Sequence, residues 1–284
     1  MLYYVNIILR PSGGYRRNPF MTPQHIDRRR LKAEMKETVR TAQVSAKAMT
    51  ALYLGLTLLL SLINYVGGSR EGMVSLFLTI LVQLLGTVLS AGFILYCMAI
   101  LRGERAEFLY LFDGFSLAGK IICLEIIKLA YIMLWSMFFI VPGIIAAYRY
   151  RFAAFNLYEN PDLGVFRAME LSKRQTMGYK QQLFMLDLSY FGWACLAILP
   201  VMAESYLYSF EAAAVMMGME SFLPVLTDGQ YLIWLLVSGL WQLGVSLFYL
   251  PVYHCAELGY YETAKATSGL DPVREFSDRT PDGL

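Results

Sequence analysis

Charge is the first thing this chain has little of. Of 284 residues, 16% are Asp, Glu, Lys or Arg, 57% are hydrophobic, and the mean hydropathy is +0.48. A soluble domain carries about 25% charged residues, so a water-exposed surface cannot be built from so few. Histidine is scarcer still: His25 and His254 are too few and too separated for a metal site. Four cysteines (Cys97, Cys123, Cys195, Cys255) are scattered through apolar stretches with no CxxC pair. They read as small buried hydrophobes, not as metal ligands or a disulfide framework. No G-x-x-x-x-G-K-[ST] run occurs, which excludes a P-loop. Ser189 has no histidine near it in sequence, which argues against a serine-type triad. The expectation is no catalytic residue, no metal, no cofactor and no enzyme activity. The acidic Glu204, Glu211, Glu220 and Asp228 lack Ca²⁺-loop spacing. Met1 to Leu9 is apolar but has neither a basic region before it nor a small-residue cleavage site after it, so no signal peptide is read there.

What the chain does contain is long apolar blocks. Stretches of ~20 apolar residues match a ~30 Å hydrocarbon core, and backbone in lipid must satisfy itself, so such stretches are helices. The alternating pattern of a membrane barrel is absent. The fold class is therefore all-α, a polytopic helix bundle. Spans are expected at about 48–66, 73–101, 120–141, 144–158, 182–202 and 230–252. Residues 1–26 are expected to be a disordered or spurious extension, because Met21 opens a stretch that reads as a natural start. Residues 27–47 carry Arg28, Arg29, Arg30, Lys32, Lys36, Arg40 and Lys47 against Leu31, Met35, Thr38 and Ala42 at helical spacing. This basic helix fits the membrane surface, where anionic lipid is its partner, or a solvated helix flanking the first span; lipid is a nearer partner for it than nucleic acid. Residues 102–119, mixing charges with Phe108, Phe112 and Phe115, fit an interfacial segment. The membrane domain covers 48–264, and 265–284 is expected to be a disordered cytoplasmic tail.

The topological decision falls at Pro142-Gly143. As one helix, Lys120 to Tyr158 would be ~58 Å long, about twice the hydrocarbon thickness. Either this pair turns the chain back as a helix hairpin, or Ile144–Tyr158 lies flat on the membrane and five spans remain. Charge favours the first. With a turn there, Arg167, Lys173, Arg174 and Lys180 fall on the cytoplasmic side with most other loop cations, and Arg70 is left outside. Both termini are then cytoplasmic. Tyr53, Tyr65, Trp193, Tyr231, Trp234, Tyr249 and Tyr253, near span ends, fit interfacial anchors.

Ionisable groups inside spans are costly and are the functional candidates. Five qualify: Glu125, Lys128, Arg149, Arg151 and Asp187. Counted at 1.5 Å per residue, Glu125 and Asp187 lie ~8 Å and Arg151 ~10 Å in from the inner edge. Arg151 is expected to pair with Asp187 or Glu125, and Glu125 can also meet Lys128 at i, i+3. Arg149 projects ~200° away from Arg151. Two readings stand: a structural fastener in a bundle that binds lipid, a membrane partner or its own copy, or a transporter or sensor of a small solute or ion with Glu125, Arg151 and Asp187 lining a polar cavity.

The run Ile140-Val141-Pro142-Gly143-Ile144, then Glu159-Asn160-Pro161, Ser172, Met177-Gly178-Tyr179-Lys180 and Leu183-Phe184-Met185-Leu186-Asp187-Leu188-Ser189-Tyr190-Phe191-Gly192-Trp193 resembles the bacterial integral membrane family termed domain of unknown function 975. Pro251, Tyr253 and Tyr260-Tyr261-Glu262 are similar to its closing motif. The resemblance runs from Arg28 to Ala264 and is most specific over Pro142–Trp193. Glu159 stands where the family pattern has Asp, and Val252 separates a Pro and a Tyr that the pattern has adjacent. The resemblance implies a bacterial cell-membrane protein and no particular activity.

Overall fold

The computed structural model describes residues 24–42, 45–68, 72–218 and 228–273. Residues 1–23, the Arg70 loop, Glu220 and 274–284 lie outside them, and with them most of the expected N-terminal extension and of the expected tail; residues 24–26 of that extension are ordered, bonded to α9. Among the described residues every element is helical: α1 (Arg28–Thr41), α2 (Ala46–Gly68), α3 (Met73–Arg102), α4 (Tyr110–Asp113) leading into a 3₁₀ turn (Gly114–Leu117), α5 (Ala118–Phe138), α6 (Ile140–Arg149), α7 (Ala153–Glu159), α8 (Val165–Gln175), α9 (Lys180–Met216) and α10 (Asp228–Ser268). Among the described residues, five helical stretches are long and apolar enough to cross a membrane: Ala46–Gly67, Met73–Arg102, Tyr110–Phe138, Lys180–Met216 and Gly229–Ser268. This is a multi-pass membrane architecture.

Several element ends differ from the sequence expectation. The basic helix stops at Thr41 rather than 47. The fifth span does not stop at 202, because Ala203–Met216 holds no Gly or Pro and is rich in good helix formers. α9 reaches 37 residues, about 55 Å. α10 likewise continues past 252 to Ser268 and is capped by Gly269 at φ 66°. Pro200 and Pro251 lie inside these helices without ending them.

The expected fourth span, 144–158, is not one helix. α6 has 10 residues and α7 has 7, about 15 Å and 10 Å, each too short to cross alone. Together they retrace α5: Gly143 packs on Ser136 at one end, and the Lys120 ammonium donates to the Pro161 carbonyl at the other. The chain thus returns to the level at which α5 began, as a broken helix.

The residues fall into two compact units. The first holds the chain up to Ala46, Thr87–Asp187 and the part from Val252 onward. Its core contains fully buried Phe93, Tyr96, Phe152, Leu157, Leu171, Tyr260 and Tyr261. Here 102–119 does more than lie at an interface: Leu111 is buried, and a Cβ on Gly92 would sit 1.9 Å from the Leu111 carbonyl, so only glycine permits this crossing. Phe108, Leu109, Phe112 and Phe115 remain outward-facing. Residues 24–28 run along the start of α9, with Ile26 N–H donating to Gln182 Oε1 at 3.0 Å and Arg28 Nη1 to the Met185 carbonyl at 2.7 Å. The second unit holds Lys47–Gly86 and Leu188–Pro251. In it α9 and α10 run antiparallel. Trp234 Nε1 donates to Glu204 Oε2 at 2.6 Å, Trp241 Nε1 donates to the Leu196 carbonyl at 2.8 Å, and Trp193 stacks on Tyr249 at 6.4 Å.

Candidate functional site

The α5–α6 hairpin does not turn at Pro142-Gly143. It turns at Phe139, whose φ −162° and ψ 153° are extended. Pro142 is the third residue of α6, where its missing N–H removes no helical bond. Gly143 serves packing: a Cβ there would meet Ser136 Oγ at 2.0 Å. The sequence pattern pointed to the loudest helix breaker, yet an ordinary residue makes the turn.

The second break, Tyr150–Phe152, contains neither Gly nor Pro. Its released backbone groups are taken by α8. Ser172 Oγ donates to the Arg149 carbonyl at 2.9 Å and accepts from the Phe152 N–H at 3.0 Å; Thr176 Oγ1 reaches the same carbonyl at 3.3 Å. Ser172 and Thr176 are fully buried. Irregular backbone at membrane depth is tolerated where protein satisfies it, and here two hydroxyls do so.

The break presents Arg151. Its guanidinium grips Asp187 on α9 with two prongs, Nη1 to Oδ2 at 2.5 Å and Nη2 to Oδ1 at 3.0 Å. Nε donates to Glu257 Oε1 on α10 at 2.6 Å, and Nη2 also donates to the Tyr253 hydroxyl. Tyr253 donates to Asp187 Oδ1 at 2.9 Å, and Tyr148 donates to Asp187 Oδ2 at 2.6 Å while its ring lies 5.4 Å from the Arg151 guanidinium carbon. Planar two-pronged recognition is what distinguishes Arg from Lys here. Four of its five N–H donors are used, and three segments of the chain are tied at one point. One cation faces two carboxylates. His254 Nδ1, buried and without a hydrogen-bond partner among the described residues, stands 3.5 Å from Glu257 Oε2.

One and a half turns along α7 lies a second network. Asn156 and Gln175, both buried, exchange amide hydrogen bonds of 2.9 and 3.0 Å. The single Tyr261 O–H is shared between two acceptors, Asn156 Oδ1 at 3.0 Å and Glu159 Oε2 at 2.8 Å. Lys265 pairs with Glu159 at 2.7 Å and with Glu262 at 2.9 Å, and Arg102 pairs with Glu159. Lys265 therefore sits in an ordered helix end, not in a disordered tail.

Of the five expected site residues, Arg151 and Asp187 meet. Glu125 instead pairs with Lys128 at 2.6 Å on its own helix, so the three groups expected to share a cavity do not converge. Arg149 does not join them: its Nε is buried and has no hydrogen-bond partner among the described residues. Glu257, Tyr253 and Tyr148 were missed. Ending the last span at 252 placed Glu257 outside the membrane and left Tyr253 as an anchor. The available signal was the i, i+4 spacing of Tyr253 and Glu257 on a helix that nothing terminates.

No curated protein and no solved structure matches the chain. A family model does match residues 139–268, the stretch from Phe139 to the end of α10 that contains every residue of the Arg151 site and both sides of the break. Over these residues, a little under half of its length, the chain is similar to the family described as protein of unknown function (DUF975).

Proposed function

We propose that this chain is a non-enzymatic integral membrane protein of the bacterial cell membrane that acts as a fastened helix bundle, presenting its surfaces to lipid or to a membrane partner. The chain passes six times, the fourth pass being the broken α6–α7, and both ends are cytoplasmic. The carrying observation is the closure of the Arg151 site: bidentate Asp187, Glu257 and Tyr253 take four of the five guanidinium N–H donors, and Tyr148 holds Asp187. A charge held this fully fixes helix order and register. A translocating site would instead need ligand-accessible valence.

The test is thiol accessibility. In a cysteine-free background, single cysteines replace Tyr148, Asp187 and Tyr253, and membranes are treated from each face with an impermeant charged thiol reagent. The fastener reading expects no labelling at the three positions while an exposed control, Lys173→Cys, reacts. Labelling of all three from one face would mean that water reaches the hub, and the transporter or sensor reading would replace it.

A further inference from the structure

Arg149, the last residue of α6, has no carboxylate partner among the described residues. The Arg149 carbonyl is held by Ser172 and Thr176, so the end of α6 lies against the segment that carries Lys173, next to Ser172, and Lys180, four residues after Thr176. The Lys180 ammonium feels the charge of both Arg149 and Lys173. Among the described residues none of the three forms an ion pair, and Arg149 Nε is a buried donor without an acceptor. Neighbouring acids are occupied. Arg167, first, and Arg174 hold the Glu170 carboxyl below its usual range, and Asp187 belongs to Arg151. Three cations carried on adjoining segments, none of them ion-paired among the described residues, favour an anion between them.

The surface next to them is apolar. On α6, Ile145 lies one turn from Arg149 on the same face and is 44% exposed; on α9, Phe184 lies one turn from Lys180 on the same face and is 46% exposed. The Tyr148 and Phe184 rings meet edge to face at 6.2 Å, joining the two helices there. Each helix thus offers a cation and, one turn further toward the α5–α6 hairpin tip, an uncovered apolar side chain. A soluble anion would use only the cations. A molecule with a phosphate at one end and a hydrocarbon chain at the other uses both.

We infer that Arg149, Lys173 and Lys180 form a headgroup site for one anionic phospholipid, whose acyl chain lies along Ile145 and Phe184. The inference rests on the membrane reading above. It is separate from the basic helix α1, whose attraction to lipid needs no fixed geometry.

Native mass spectrometry of the detergent-purified full chain tests it, with dihexanoyl phosphatidylglycerol, the same-chain phosphatidylcholine and inorganic phosphate as probes. The expected result is one phosphatidylglycerol bound about tenfold or more tighter than phosphatidylcholine, with phosphate at equal concentration failing to displace it. Lys173→Gln and Lys180→Gln are each expected to weaken phosphatidylglycerol about tenfold and leave phosphatidylcholine unchanged. Arg149→Lys should bind better than Arg149→Gln, and Lys36→Gln on α1 should match the parent. Lys173 is exposed, so its variant tests the site even if changes at Arg149 impair folding. Equal binding of the two lipids, or a Lys173→Gln, Lys180→Gln double variant that binds like the parent, overturns the site. Displacement by phosphate would make it a site for a free anion and overturn the lipid assignment. Flotation of the parent with liposomes is run alongside; failure there would defeat the membrane reading itself, which is a different result.

Discussion

At the residue scale, the decisive group is Arg151. Its loss leaves Asp187 and Glu257 facing each other with no cation between them. In water-soluble proteins, breaking a buried pair costs about 3–5 kcal/mol; within membranes, polar contacts are worth less, with a measured mean of about 0.6 kcal/mol. Arg151→Ala should fall between these figures and lower the thermal midpoint in detergent markedly. Asp187→Asn should cost less, because Glu257 still compensates the guanidinium. Tyr148→Phe removes a hydroxyl and keeps the ring over the cation, so a loss of about 1 kcal/mol is expected. A thermal-melt series by tryptophan fluorescence checks the order Arg151→Ala, then Asp187→Asn, then Tyr148→Phe. If Asp187→Asn proves as costly as Arg151→Ala, Glu257 is not sharing the charge. The Arg151–Asp187 pair was readable in the chain because charges in apolar runs stand out and an arginine invites a planar partner. Glu257 was not, because it lies in a mixed stretch where a carboxylate looks ordinary until the helix around it is seen to continue.

At the scale of elements, two breaks shape the family-matching region, and each has its own fastening. Phe139 turns the chain, and Gly143 lets α6 press onto α5. Gly143→Ala should cost about 1–3 kcal/mol through the clash with Ser136, and Ser136→Gly in the same chain should restore part of it, as denaturant or thermal unfolding can show. At the second break, Ser172→Ala leaves the Phe152 N–H without its partner and the Arg149 carbonyl with Thr176 alone. An orphaned buried group costs about 1–3 kcal/mol; Ser172→Thr keeps the hydroxyl and should cost less if the extra methyl is accommodated. A Ser172→Ala chain as stable as its parent would mean that the break does not depend on α8. The existence of the long helices followed directly from apolar run length, and α5 was placed within three residues at each end. Helix ends in polar sequence were not recoverable the same way, since α9 and α10 carry on through Glu, Tyr and Ala positions that suit a helix in water as well as in lipid. The break at Tyr150–Phe152 had no local sign at all. It is set by hydroxyls twenty or more residues later, and reading it would have required knowing that α8 packs there.

At the scale of the whole molecule, the chain is read as six passes, five in continuous helices and one in two short pieces. Apolar side chains such as Ile126, Met133, Leu199 and Trp241 remain uncovered by protein, as lipid-facing positions should be. The chain should therefore stay in the membrane pellet after an alkaline carbonate wash, whereas a surface-bound protein would be released. The central claim is that α6–α7 returns the chain across the bilayer. The most direct measurement places single cysteines at Arg105, Phe139 and Lys173 in a cysteine-free chain and labels them in right-side-out and inverted vesicles with an impermeant reagent. The account predicts that 105 and 173 react from the cytoplasmic face and 139, at the hairpin tip, from the other. Labelling of 105 and 173 from opposite faces would contradict it, because the broken helix would then not be a pass.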